Sequence, residues 1–114
     1  MKHISRLFLL SALSALVVFD APVQAAPKKI LVITQSRGFT HGVVRRPKGG
    51  LCVVEKTLAK IGQESGVFTT VNSQNAIKSI TRENLKNFDG IFFYTTGVLL
   101  PAGDPREALM DFVK

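Results

Sequence analysis

Arg37, Thr40 and His41 lie close together in the stretch Thr34-Gln35-Ser36-Arg37-Gly38-Phe39-Thr40-His41-Gly42. The planar guanidinium of Arg37 can hold a carboxylate, a phosphate or a vicinal diol with its fork of donors. His41 can move a proton near neutral pH or ligate a metal. A second group, Tyr94-Thr95-Thr96-Gly97, offers hydroxyls that can bond ligand oxygens, and a glycine that lets backbone amides come close. Each group also has a plainer explanation. Arg37 and His41 can brace a loop by hydrogen bonding, and the hydroxyl group can simply mark the end of a strand. Other residues carry weaker signals. Arg45 and Arg46 read as solvated charges. No second His, and no Cys or carboxylate at ligand spacing, accompanies His41, so no metal site is expected. Gly49-Gly50 matches neither a P-loop nor a dinucleotide fingerprint, and no cofactor is expected. Cys52 lies beside an apolar stripe and lacks the sharp turn that presents a nucleophile, so it reads as a small core residue. The spacing of Asp104 and Glu107 is that of a helix cap, not of a catalytic pair.

The elements that must position these groups follow from periodicity. Ile30-Leu31-Val32-Ile33 is a continuous aliphatic run, as in a parallel strand buried on both faces. A helix is expected over about Lys48–Glu64, with Leu51, Val54, Leu58 and Ile61 as its apolar stripe and Glu55, Lys56 and Lys60 off it. Its start near Gly49-Gly50 would add an anion-favouring dipole end, and Gly66 would close it. Val67–Val71 reads as a second strand at an exposed edge. The stretch Asn72–Ser79 is turn-rich, and Thr81 caps a short helix carrying Leu85 and Phe88. Ile91–Thr96 is the third and most apolar strand. Asp104 at the N-cap, Pro105 at the first helical position and Glu107 then open a last helix. Alternation of strand and helix predicts an α/β fold with right-handed crossovers. The expected architecture is a three-layer, flavodoxin-like open parallel sheet of order 2-1-3. In such sheets ligands bind beyond the carboxyl ends of the strands. That rule places the two polar groups on either wall of one crevice. The loop after the first strand is also long for a strand-to-helix connection, which points to function.

The two ends of the chain and its charge set the context. Lys2, His3 and Arg6 precede the apolar run Leu7–Phe19, and Val23-Gln24-Ala25 supplies small residues for cleavage after Ala25. Residues 1–25 therefore read as a cleavable secretory signal peptide, and the protein as exported, to the periplasm or beyond, with no stable membrane anchor after cleavage. Residues 26–114 form one α/β domain. The chain carries a formal net charge of +7, which loss of Lys2, Arg6 and Asp20 changes little. In an exported protein this basic balance suits an anionic or hydroxyl-rich small ligand better than a nucleic acid. A lone Cys cannot bridge internally. The uncharged outer side of Ile91–Thr96 invites pairing between copies, hence a homo-oligomer. That bare edge, and a last helix without a stop signal at Lys114, predict that the chain is the front part of a longer domain.

Three segments, Lys29-Ile30-Leu31-Val32-Ile33-Thr34, Ser36-Arg37-Gly38-Phe39-Thr40-His41 and Phe92-Phe93-Tyr94-Thr95-Thr96-Gly97, resemble the ThuA-like, or trehalose utilisation, family. The resemblance runs from about Lys28 to Lys114 and covers the first part of the family domain. It implies a class I glutamine amidotransferase-like fold and a link to disaccharide or sugar-derivative metabolism. Arg37, Thr40, Tyr94, Thr95, Thr96 and Gly97 carry over as candidate ligand-binding residues, and His41 as the candidate catalytic one. Amidotransfer is not implied, because its Cys elbow and later His have no counterpart here. Relatives often place an acidic residue after the threonine–glycine step, where this chain has Val98-Leu99-Leu100, which weighs against acid–base work by that loop. The expected function is binding or processing of a sugar or sugar derivative. The alternatives are a non-catalytic binding module of a larger exported enzyme, or an amidotransferase-like hydrolase whose nucleophile lies beyond Lys114.

Overall fold

A computed structural model describes residues 21–114. The expected signal peptide, residues 1–25, lies outside these residues except for Ala21–Ala25, which are exposed and in no regular element. No described helix is long and apolar enough to cross a membrane.

Three parallel strands form the sheet: β1 (Lys28–Ile33), β2 (Phe68–Ser73) and β3 (Gly90–Phe93), in the order β2-β1-β3. This is the order in which a flavodoxin-like sheet opens. β1 is central, and Leu31, Val32 and Ile33 are all but completely buried, as an uninterrupted aliphatic run requires. Alternation along β1 sends its side chains to opposite faces. Leu31 and Ile33 pack with Ala76, Ile80, Leu85 and Ala108 into the main core. These come from the helical side of the sheet built by α2 (Ala76–Ser79), α3 (Arg82–Leu85) and α4 (Asp104–Phe112). The other face carries α1 (Val53–Ser65), which packs chiefly on β2. Gly62 makes that packing possible, because a Cβ there would come within 2.4 Å of the Phe68 carbonyl oxygen. Beside α1 the same face leaves an apolar hollow of about 380 Å³ between Leu58, Ile30, Val32 and Phe92.

Several boundaries differ from the sequence reading. α1 begins at Val53, not near Lys48, so Gly49 and Gly50 lie in a turn before it and contribute no helix end. Leu51 precedes the helix and is exposed, as is Ile61, while Glu55, expected on the solvent side, is completely buried. The 3-10 turn Gly42–Val44 and the short α2 fall in stretches whose polar, turn-rich sequence predicts loop; Asn75 starts α2 by accepting a bond from the Lys78 N–H at 3.1 Å. Thr81 caps α3 as expected, through the Asn84 N–H at 3.1 Å. α4 starts one residue early, with Gly103 at the N-cap and no side-chain cap bond, so Asp104 sits inside the first turn. Its carboxylate acts there on the helix dipole instead of on a single N–H. Gly66 closes α1 in the left-handed region, as expected.

Candidate functional site

Beyond Ile33 the chain leaves β1 through Thr34, which is buried, and enters the long connection to α1. This connection does not run free. Ser36 forms one further parallel bridge with Thr96, and the Arg37 N–H donates to the Thr96 carbonyl at 2.9 Å. The Thr96 hydroxyl donates to the Phe39 carbonyl. Gly97 holds φ at +75°, and a Cβ there would lie 2.3 Å from the Arg37 carbonyl oxygen, so only glycine permits this approach. The loops after β1 and β3 are thus stitched together by backbone at one end of the sheet.

This stitch brings His41 to the β3 side. Its ring stands edge-on to Phe39 at 4.8 Å and to Tyr94 at 6.0 Å between centroids. His41, Tyr94 and Gly97 are exposed, and Thr95 and Thr96 are half-buried. Arg37 is exposed and has no carboxylate partner among the described residues. Six of the seven candidate residues therefore lie along the two loops that meet beyond β1 and β3. Thr40 does not join them. It lines a separate small depression on the β2 side, with Thr34, Gln35, Ser36, Arg45 and Gln74.

The most tightly bonded polar cluster was missed by the sequence reading. Glu55 receives the Thr34 hydroxyl at 2.6 Å, Arg46 Nε at 2.9 Å, Arg46 Nη2 at 2.7 Å and the Cys52 N–H at 3.0 Å. Arg46 is therefore not a solvated charge but the partner of a buried carboxylate. Gln74 extends the cluster, donating from Nε2 to the Val44 carbonyl at 2.7 Å and to the Thr34 hydroxyl at 3.2 Å. Burial pushes the Glu55 carboxyl up, but the bonds from Arg46, Thr34 and the Cys52 amide outweigh it and hold it below the usual carboxylate range. The bond to Glu55 in turn raises Arg46. A carboxylate engaged by four donors has no capacity left for a substrate, so Glu55 locks the loop and does no chemistry. One sequence signal pointed to it: Glu55 stands three residues after Cys52, the spacing of a capping box, but Cys at the N-cap hides the pattern.

Cys52 itself is buried and packs as the sequence suggested. Among the described residues, no group of three or more His, Cys, Asp or Glu side chains is placed to hold a metal ion. The larger hollows, two against α1 and one between α3 and α4, are predominantly apolar and include none of the candidate residues.

Comparisons of the chain with protein-family models, with curated proteins and with solved structures find no match.

Proposed function

We propose that this protein binds a sugar or sugar derivative at the carboxyl end of its sheet, as an exported ThuA-like domain serving carbohydrate utilisation. The observation that carries the reading is the stitching of the two loops, which holds exposed Arg37 against Gly97 and sets His41 beside Tyr94. Arg37 fixes ligand oxygens, and the exposed ring of Tyr94 gives the apolar face of a pyranose a surface to rest on. The Thr96 hydroxyl spends its proton on Phe39, so it serves a ligand only as an acceptor, while Thr95 remains able to donate. His41 supplies an imidazole beside Tyr94.

The second reading, a binding module without catalysis of its own, is favoured by a specific observation. Glu55 is fully engaged by its own donors, and among the described residues His41 pairs with no carboxylate with which to share a proton transfer. Calorimetric titration with trehalose and with oxidised glucosides tests both readings. Binding that Arg37→Ala and His41→Ala each weaken supports the site, and turnover separates enzyme from module. Absence of heat with every sugar, or binding untouched by both substitutions, sinks it. Export is tested by sequencing the amino terminus of the secreted protein, which should begin at Ala26. The outer side of β3 has no strand partner among the described residues, which supports association of copies there. Sedimentation should then show a dimer or larger species.

A further inference from the structure

The depression that Thr40 lines is chemically one-sided. It measures about 170 Å³ and lies beyond the ends of β1 and β2, across Ser36 from the His41–Tyr94 crevice. Cavities that hold whole drug-sized ligands run from about 300 Å³ upward, so this one suits a single small ion or one functional group. Its polar inventory decides which. The Thr34 hydroxyl is spent, donating to Glu55 and accepting from Gln74. Gln35 uses its oxygen to accept the Ala76 N–H at 2.7 Å, which leaves its amide donors over. Ser36 Oγ is buried and has no hydrogen-bond partner among the described residues. Neither the Thr40 hydroxyl nor the Arg45 guanidinium has a partner among the described residues, and no carboxylate faces them, because Glu55 is neutralised by Arg46. Among these side chains the Gln74 amide oxygen is a free acceptor, and the Ser36 and Thr40 hydroxyls can donate or accept, while Gln35 and Arg45 have only donors left. A buried hydroxyl left without a partner costs free energy that a bound ligand would recover.

From this donor excess we infer that the depression between the β1 and β2 loops is an oxyanion-binding subsite, taking a carboxylate or phosphate group through Ser36, Thr40, Gln35 and Arg45. Several donors converging from different side chains, with a guanidinium among them, match an oxygen-rich anion and leave a neutral hydroxyl over-supplied with donors. The inference does not rest on the carbohydrate reading, since the subsite is separate from the crevice of Arg37 and His41.

Two-dimensional amide NMR of the full chain, titrated at constant ionic strength with inorganic phosphate, gluconate or glucose, tests it. The expected result is saturable movement of the Ser36, Thr40, Arg45 and Gln74 signals with at least one anion and none with glucose. Response to phosphate alone assigns a phosphate or phosphate ester, and response to gluconate alone a sugar acid. Arg45→Gln should weaken the anion about tenfold or more, the scale of losing a hydrogen bond to a charged group, and Ser36→Ala a few-fold. Among the described residues both side chains are free of structural bonds, so the variants keep the fold. No saturable response to either anion, an equal response to glucose, or affinity indifferent to Arg45→Gln would overturn the inference. Sugar binding abolished by Arg37→Ala alongside a silent phosphate titration would reject the subsite and retain the crevice.

Discussion

Toward β2, the end of β1 is closed by side chains: Thr34, Arg46, Glu55 and Gln74 bond one another, and the carboxylate at the centre is sealed from water. Toward β3 it is closed by backbone, through the Ser36–Thr96 bridge and the close approach of Gly97 to Arg37, and the side chains above stay exposed. Both arrangements anchor the same long loop. They differ in what is left over. Around Glu55 the first spends almost every donor and acceptor on the protein itself, and so holds shape, leaving over only the groups that rim the neighbouring depression. The second does its anchoring mostly with main-chain atoms, Thr96 adding its hydroxyl, and so releases Arg37, His41 and Tyr94 for something else. An ion pair inside a fold is therefore a poor guide to chemistry here, and the unemployed side chains beside it are the better one.

The comparison predicts unequal responses to mutation. Arg46→Ala leaves a sealed carboxylate without its cation, and breaking such a pair costs about 3–5 kcal/mol. The value should fall near the lower end, because Arg46 is 32% exposed and water partly replaces it. Denaturant unfolding measures it, and a loss below about 1 kcal/mol would place the pair among ordinary surface ones. Gly97→Ala comes next. Its φ and the Arg37 oxygen both oppose a Cβ, so the stitch must open at a cost of more than about 1 kcal/mol. The same variant should lose sugar binding, which separates it from Arg46→Ala if the two anchors act independently. His41→Ala is the smallest in stability, within about 0.5 kcal/mol as for other exposed sites, yet it should remove ligand affinity.

Acid sharpens the contrast. The folded Glu55 carboxyl is held below its unfolded value, so below the usual range the unfolded chain binds the extra proton. Its contribution is complete above about pH 4.3, the ordinary glutamate value, and disappears as pH falls through the lowered folded value. Melting temperature should drop across that acid window in the native protein. In Glu55→Gln, already less stable, the drop should be shallower. Equal slopes would mean that the acid limb belongs to other carboxylates.

Much of this architecture was legible in the residues. The aliphatic run of β1, the Thr81 cap and the Gly66 stop are local signals, and local signals were enough for the strand order. So was the meeting of the loops after β1 and β3, because parallel topology alone places both at one end. Glu55 was not legible. A helical wheel assigns it to solvent, and only the fold brings Thr34 and Arg46 to it. Thr40 shows the same limit at shorter range: one residue from His41, it serves the other side of the loop. The start of α1 was misplaced because Leu51 extends the apolar period into a turn that Pro47, Gly49 and Gly50 impose.

Cys52 stands where the sealed pair meets the helix: its sulfur is buried, while its own amide bonds Glu55. A thiol in that position cannot meet an alkylating reagent while the loop is seated. Its modification rate is thus a built-in clock for how often the lock springs open, and it runs without any engineered probe.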